Sequence, residues 1–463
     1  MAVFLPLLVL LLPAEEGRAK SLGRLALAGA LAVVLAGATI IPAARYYLSS
    51  IRASGATSWQ DMDAYPLSFL NIFLPTANPA WTVKYLGVIT ALAALAGLVR
   101  RWRHAWPWLL PGITSLFFAL GTQTPVGRAL GHLPFLGSFR GASHWIGLLA
   151  LSVAVMSALG FEALFAANHR RMLAALAVLG ILNTADLYRQ SQPLANAHRP
   201  SEYEESRPAH DPVVWYLSQR PGDFRTSTAE QHIMSNVRVP SGLEWISGYH
   251  GAPLAVFGEF YDATMGGCSD IPALLSWLNT KYFVVLRNQQ MRGLVPLTQF
   301  NSLTAGQVWI CENPSALPRA FFGAGAEPAG GIAVMQRLCS EPPGKRLLYV
   351  HSQAGYFPAG RLASGKVLSQ KRTPNRLEAE VDSAGTGLVF FSEAFYPAWT
   401  AFVDGQRARL LRVNVMFRAV AINRGRHSIV MHYQSLPFQL GLFLSFLGWT
   451  LAGAYFLAGK RGP

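Results

Sequence analysis

The sequence predicts a polytopic α-helical membrane bundle, about six full spans plus an N-terminal stub, that carries a large extracytoplasmic domain of α/β and β-sandwich character. Three observations predict it. Of the 463 residues, 51% are hydrophobic and only 14% charged, against about 25% charged in a soluble globular chain. Apolar runs long enough to cross a bilayer alternate with short basic loops. A single long stretch of mixed polarity separates the last two runs.

Orientation follows from Arg100-Arg101-Trp102-Arg103-His104, a basic knot between the apolar runs Val83–Val99 and Trp106–Leu120. Lys and Arg in short loops stay on the cytoplasmic side, so the knot is placed inside. The other runs are Leu25–Leu48, Ile146–Phe165, Met172–Leu187 and Phe438–Leu457. With the knot inside, Arg18–Arg24, Asn168–Arg171 and the tail Lys460–Arg461 fall on the same side. Tyr46–Thr82, Gly121–Ser143 and Tyr188–Pro437 fall on the other. Met1–Pro13 is apolar but too short to span; with Pro13-Ala14-Glu15-Glu16 after it and no basic residue before it, it reads as the tail of a helix rather than a signal peptide. Tyr65–Pro75, bracketed by prolines, reads equally as an interfacial helix or a packed loop.

Four regions result: 1–187, a transmembrane helical region; 188–345, an extracytoplasmic mixed α/β region; 346–437, a β-sandwich; and 438–463, a final span and cytoplasmic tail. In the mixed region Asp211–Gln219 and Ile271–Asn279 read as short helices, Lys281–Arg287 and Val308–Glu312 as strands. In the sandwich, Arg376–Val381 alternates and Leu388–Ser392 is a buried-type run. Trp399–Val403 and Arg407–Val413 form a hairpin about Asp404-Gly405, and Arg418–Ile422 and His427–Tyr433 flank Asn423-Arg424-Gly425. The aromatics Phe390, Phe391, Phe395, Tyr396, Trp399 and Phe402 read as sandwich core, with a sugar-stacking platform as the rival reading.

Cys268, Cys311 and Cys339 are too few and too far apart for a disulfide framework or a metal site; at most one pair closes, and which pair is left open. The net charge of +15 sits largely at helix ends, which points to anionic lipid rather than nucleic acid as the partner. No Walker loop, dinucleotide fingerprint, HExxH or GxSxG occurs, so no cofactor or metal is expected.

Four stretches resemble a known family. They are Leu120-Gly121-Thr122-Gln123-Thr124-Pro125 with Leu133-Pro134-Phe135 and Phe139-Arg140; Leu278-Asn279-Thr280-Lys281-Tyr282-Phe283-Val284-Val285; Glu312-Asn313-Pro314-Ser315-Ala316-Leu317-Pro318-Arg319-Ala320; and Phe395-Tyr396-Pro397-Ala398-Trp399 through Val403-Asp404-Gly405. In this order they resemble the bacterial YfhO family of membrane proteins, relatives of the GT-C class of lipid-linked sugar transferases. The chain departs from the family at Ala398, where Gly is usual, and at His144, where Arg is common. The resemblance covers only the C-terminal portion of a typical member. The first extracytoplasmic loop, which holds the catalytic Asp or Glu in GT-C relatives, is expected to be missing here.

The resemblance implies transfer of a sugar from a polyprenyl-phosphate carrier to an envelope glycan or glycolipid, outside a bacterial cytoplasmic membrane. Such chemistry needs a carboxylate to take the acceptor proton and cations to hold the leaving phosphate. Arg128, Arg140 and His144, on the outer connection against the positive-inside trend, are the phosphate candidates. Asp61 and Asp63 are the catalytic candidates in the first surviving outer loop, and Asp186 is a weaker one at a helix end that could instead pair with Arg189. Trp399 is the candidate for sugar stacking. Two rivals stand beside the enzyme reading: a non-catalytic glycan-binding or assembly protein working with a partner membrane subunit, and a transporter. The spans carry almost no charge, which disfavours the transporter.

Overall fold

The computed structural model describes residues 18–53, 85–120, 124–126, 129, 145–165, 169–196, 211–228, 242–246, 253–263, 268, 270–286, 292–302, 306–351 and 357–459. They form two compact units. One is helical; the other, built on Arg45–Ile51 and Ser201–Gln439, is rich in β-structure.

The helical unit contains α1 (Arg18–Leu35), α2 (Gly37–Tyr47), α3 (Val88–Arg100), α4 (Trp102–Leu120), α5 (Ile146–Phe165) and α6 (His169–Asn196), together with most of a final helix, Leu436–Gly459. Three single helices are long and apolar enough to cross a membrane: Ile146–Phe165, Arg170–Arg189 and Leu436–Ala454. The run expected as one span over Leu25–Leu48 is two helices bent by 80°, which could make a fourth. Six spans are therefore not established among the described residues. The physical reasons lie in α3 and α4. Thirteen residues give α3 a length of about 20 Å, short of the roughly 30 Å hydrocarbon core. Helix α4 opens on Trp102-Arg103-His104 and carries Pro107 and Pro111, which lower its apolarity and remove backbone donors.

Glycines set the helix contacts. Gly97 of α3 and Gly160 of α5 touch backbone to backbone: a Cβ at Gly97 would strike the Met156 carbonyl, and one at Gly160 the Ala93 carbonyl. The Ser157 hydroxyl adds a 2.7 Å hydrogen bond to the Thr90 carbonyl across the same crossing. Gly37 and Gly441 meet in the same way. The bend at Ala36 leaves the first N–H groups of α2 without helical acceptors. The Ser445 hydroxyl on the final helix accepts from Ala38 N–H at 2.9 Å and satisfies one of them.

In the β-rich unit, α7 (Pro212–Ser218) starts where Asp211 caps the Val213 N–H at 2.8 Å. Strands β1 (Arg225–Thr228), β2 (Glu244–Trp245), β3 (Thr280–Leu286), β4 (Val295–Ser302) and β5 (Gly306–Glu312) form a five-stranded sheet in the order β2-β1-β3-β5-β4, parallel about β1 and antiparallel beyond β3. Alternation along β3 divides its burial. Tyr282 and Val284 pack on α7 with Val213 and Leu217, while Phe283 and Val285 join the main core. Helices α8 (Ala255–Asp262), α9 (Ile271–Ser276) and α10 (Ile332–Ser340) supply Phe260, Leu274 and Leu338 to that core.

The main core's other wall is a seven-stranded sheet of β6 (Ala320–Phe322), β7 (Gly325–Pro328), β8 (Leu347–Val350), β9 (Gly360–Arg361), β12 (Gly387–Ala394), β15 (Leu410–Val413) and β16 (Phe417–Ile422). A five-stranded antiparallel sheet of β10 (Gly365–Thr373), β11 (Arg376–Ser383), β13 (Trp399–Val403), β14 (Gln406–Ala408) and β17 (Gly425–Tyr433) covers its opposite face. Val389, Phe391 and Ile422 from the first interdigitate with Leu377, Val381 and Met431 from the second, as in a sandwich. The seven-stranded sheet begins at Ala320, upstream of residue 346. The hairpin at Asp404-Gly405 forms with φ of 50° and 79°, the left-handed pair a tight primed turn needs. The single strand expected over Arg407–Val413 is two: the chain leaves one sheet at Ala408 and enters the other at Leu410. Cys268 and Cys339 form a disulfide, with Cα atoms 5.3 Å apart, and Cys311 is free and buried.

Candidate functional site

Two places in the described residues gather chemistry. The first lies in the helical unit. Arg100 and Arg101 end α3, and Arg170 and Arg171 begin α6, which carries one further basic residue, Arg189, beyond its apolar part. Arg101 pairs with Glu162 at 3.2 Å. Toward the start of α3 and the end of the apolar part of α6 a carboxylate, a phenol, an amide and a hydroxyl meet. The Tyr85 hydroxyl donates to Asp186 Oδ2 at 2.6 Å and accepts from the Val88 N–H at 3.2 Å. One turn away, the Thr90 hydroxyl donates to Asn183 Oδ1 at 3.0 Å. The spacing of Asn183 and Asp186 puts both on one face of α6. Asp186 makes no ion pair with Arg189. Its Oδ1 takes no hydrogen bond among the described residues, so the carboxylate is oriented by Tyr85 yet keeps a free acceptor.

The second place lies in the β-rich unit, around Trp399. The Arg418 guanidinium carbon sits 4.0 Å over the Trp399 ring. The Tyr433 ring meets Trp399 edge-on at 5.7 Å, Tyr396 stacks on Tyr433 at 6.2 Å, and Tyr46 lies 6.3 Å from Tyr396. Phe390 and Phe391 are wholly buried in the sandwich, so the aromatics grouped in the sequence separate into core and a half-exposed row. Burial lowers the Arg418 pKa to about 10, against the opposing charge of Glu393.

The same unit holds a partly buried charge network. Arg319, 2% exposed, reaches Glu393 at 3.0 Å, Asp223 at 3.3 Å, the Asn279 side-chain carbonyl at 3.3 Å and Glu244. Arg372 binds Glu244 at 2.7 Å and Asp223 at 3.2 Å. Arg225 binds Glu393 at 3.1 Å and donates to the Leu278 and Ser392 carbonyls. Burial pushes the Glu244 carboxyl up, but hydrogen bonds and charge from Arg372 and Arg319 outweigh it and hold the pKa at about 2. Three arginines face three carboxylates, so the network is self-neutral and offers no free charge to a ligand.

The network explains two of the four sequence stretches. Asn313 donates to the Pro272 and Thr280 carbonyls and to the Ser276 hydroxyl, each at 3.0 Å, and Asn279 donates to Leu317 at 2.9 Å. Asn279, Asn313 and Arg319 thus knit α9, β3 and β6 together. Their role is architectural. Asp61, Asp63, Arg128, Arg140 and His144 lie outside the described residues; of the candidates named from the sequence, Trp399 and Asp186 are placed. Sequence reading passed over Tyr85, Asn183 and Arg418. Arg418 carried one signal, a charge opening an otherwise apolar strand.

Apolar helices of spanning length joined to a β-rich unit define a membrane-anchored protein. Residues 360–445 match the family model described as bacterial membrane protein YfhO. No curated protein sequence matches the chain. Among solved structures, the arabinofuranosyltransferase AftD from Mycobacteria aligns with 94% of this chain and 43% of its own length, at 10% identity and a TM-score of 0.36. The chain spans less than half of that protein, and the likeness is too loose to establish a shared fold.

Proposed function

We propose that this chain belongs to a membrane glycosyltransferase that moves a sugar from a polyprenyl-phosphate carrier to an envelope glycan or glycolipid on the extracytoplasmic face. The observation that carries this reading is Asp186: a carboxylate oriented by Tyr85, with one oxygen free among the described residues, near the ends of α3 and of the apolar part of α6 that lie away from Arg100, Arg101, Arg170 and Arg171. By the positive-inside rule those ends are extracytoplasmic. The acceptor hydroxyl loses its proton to Asp186 as its oxygen bonds to the anomeric carbon. The bond from that carbon to the carrier phosphate oxygen breaks, and the phosphate leaves with the electron pair. Asp186 here takes the role that the sequence suggested for Asp61 and Asp63, which remain the rival bases; Arg128, Arg140 and His144 remain the candidates for the phosphate.

The reading is tested in membranes from cells expressing the full chain, supplied with radiolabelled polyprenyl-phosphate sugars. Asp186→Asn is expected to cut transfer about 100-fold, the typical worth of a general base. Tyr85→Phe, which keeps the carboxylate, is expected to cost far less. Wild-type rates in Asp186→Asn would remove that residue from the chemistry, and no transfer by the wild type would reject the reaction.

Sidedness has separate support in the Cys268–Cys339 disulfide, since such bonds persist in oxidising compartments. In intact spheroplasts a membrane-impermeant maleimide is expected to label Cys268 and Cys339 only after reduction. Labelling confined to lysed cells would place the β-rich unit in the cytoplasm.

A further inference from the structure

Arg418 is 5% exposed, yet it has no counter-ion. Its Nε donates to the Ala394 carbonyl at 2.8 Å. Its two Nη groups meet no acceptor and no carboxylate among the described residues. The acid it senses, Glu393, is already held by Arg225, Arg319 and Arg372. Almost every buried arginine has an anionic partner, because an uncompensated buried charge costs several kcal/mol. Every other arginine of this cluster obeys that rule. Among the described residues nothing supplies that anion.

Its surroundings indicate the kind of anion. The guanidinium carbon sits 4.0 Å over the Trp399 ring, and the two Nη groups are left for the fork-shaped contact that suits phosphate oxygens. Tyr433, 37% exposed, flanks Trp399 and ends β17, which runs through Gln434 and Ser435 into the final helix. That helix shows Leu436, Phe438, Leu440 and Phe443 largely exposed, as a lipid-facing surface would. Tyr46, at the other end of the aromatic row, sits in the last turn of α2 beside Arg45. A row of Trp and Tyr between two such helix ends is the composition of the headgroup layer.

We propose that Arg418, backed by Trp399 and Tyr433, binds the phosphate of an anionic lipid headgroup at the membrane surface. This site does not depend on glycosyl transfer: it would stand if Asp186 proved inert, and fall with transfer intact. The test is native mass spectrometry of the full chain in detergent micelles, titrated with phosphatidylglycerol or with inorganic phosphate. Arg418→Gln is expected to weaken phosphatidylglycerol binding about tenfold, the order of one charge-assisted contact, and Arg418→Lys to restore part of it. Trp399→Leu keeps the cation and is expected to weaken binding several-fold, which preserves the test if Arg418→Gln does not fold. Equal lipid affinity in the wild type and in either the glutamine or the leucine variant overturns the site. Displacement of the lipid by inorganic phosphate at comparable concentration would make a free phosphate the ligand and overturn the lipid assignment.

Discussion

Replacing Arg319 with alanine is expected to destabilise the β-rich unit by about 3 kcal/mol, the low end for breaking a buried ion pair. The low end applies because Glu244 and Asp223 each keep roughly half of their side chains in water, whereas Arg319 is 2% exposed. The loss has three parts. Glu393 and Glu244 keep only Arg225 and Arg372, Asn279 loses the donor to its side-chain carbonyl, and a cavity opens between β6 and the first sheet. In thermal unfolding of the full chain in detergent, the β-rich unit should melt about 6 to 12 °C lower. Arg319→Lys should recover little, since one ammonium cannot reach three carboxylates and an amide together. An unchanged melting temperature in the alanine variant would mean that the network is ornamental.

The same network fixes how the unit responds to acid. The Glu244 carboxyl is depressed to about 2 in the folded state, so its contribution is fully present above its unfolded value near 4.5 and is lost as pH falls toward 2. The unit should therefore keep its melting temperature between pH 7 and 5 and lose it only in stronger acid.

The parts of this molecule that were legible in the sequence are those written in local chemistry. Asp404-Gly405 demands left-handed backbone, and the hairpin is there. Asp211 and Asp270 stand before prolines and cap the helices expected behind them. Ile146–Phe165 is apolar but for two serines and Glu162 near its end, and the helix has the bounds read from the sequence. What could not be read depends on residues that meet only in the fold. Arg225, Arg319, Arg372, Glu244 and Glu393 converge from five separate stretches, and no spacing rule foretells that. Asp186 is visible as an acid closing an apolar run, but Tyr85, which orients it, comes from the other side of three intervening helices. The split at Arg409 is illegible for a related reason. A strand that changes sheets keeps its alternation, so period-2 patterning cannot show the crossover.

The helical unit offers the sharpest contrast. Gly160→Leu is expected to dismantle the packing of α3 on α5, while Gly180→Leu on α6 is expected to be silent. At Gly160 an added Cβ meets the Ala93 carbonyl and the Gly97 amide, both backbone, which cannot rotate away as a side chain could. At Gly180 nothing lies within 4 Å of the added atom. Both changes add the same apolar side chain to an apolar helix, so membrane insertion is equally favoured and only packing differs. Between transmembrane helices there is little hydrophobic force to hold a strained contact together, because the lipid is as apolar as the leucine. The helices should separate by several tenths of an ångström or more, breaking the Ser157 bond to Thr90 and the Arg101–Glu162 pair with it. Because α3 also carries Thr90 to Asn183 and leads from Tyr85 to Asp186, the Gly160 variant should lose the orientation of that carboxylate as well. Size-exclusion chromatography in mild detergent reads the first effect, as loss of the monodisperse species. A cysteine pair placed at Leu86 and Leu187 reads the second, through the yield of its cross-link. Equal behaviour of the two leucine variants in both measurements would show that the close approach of α3 and α5 does not govern this bundle.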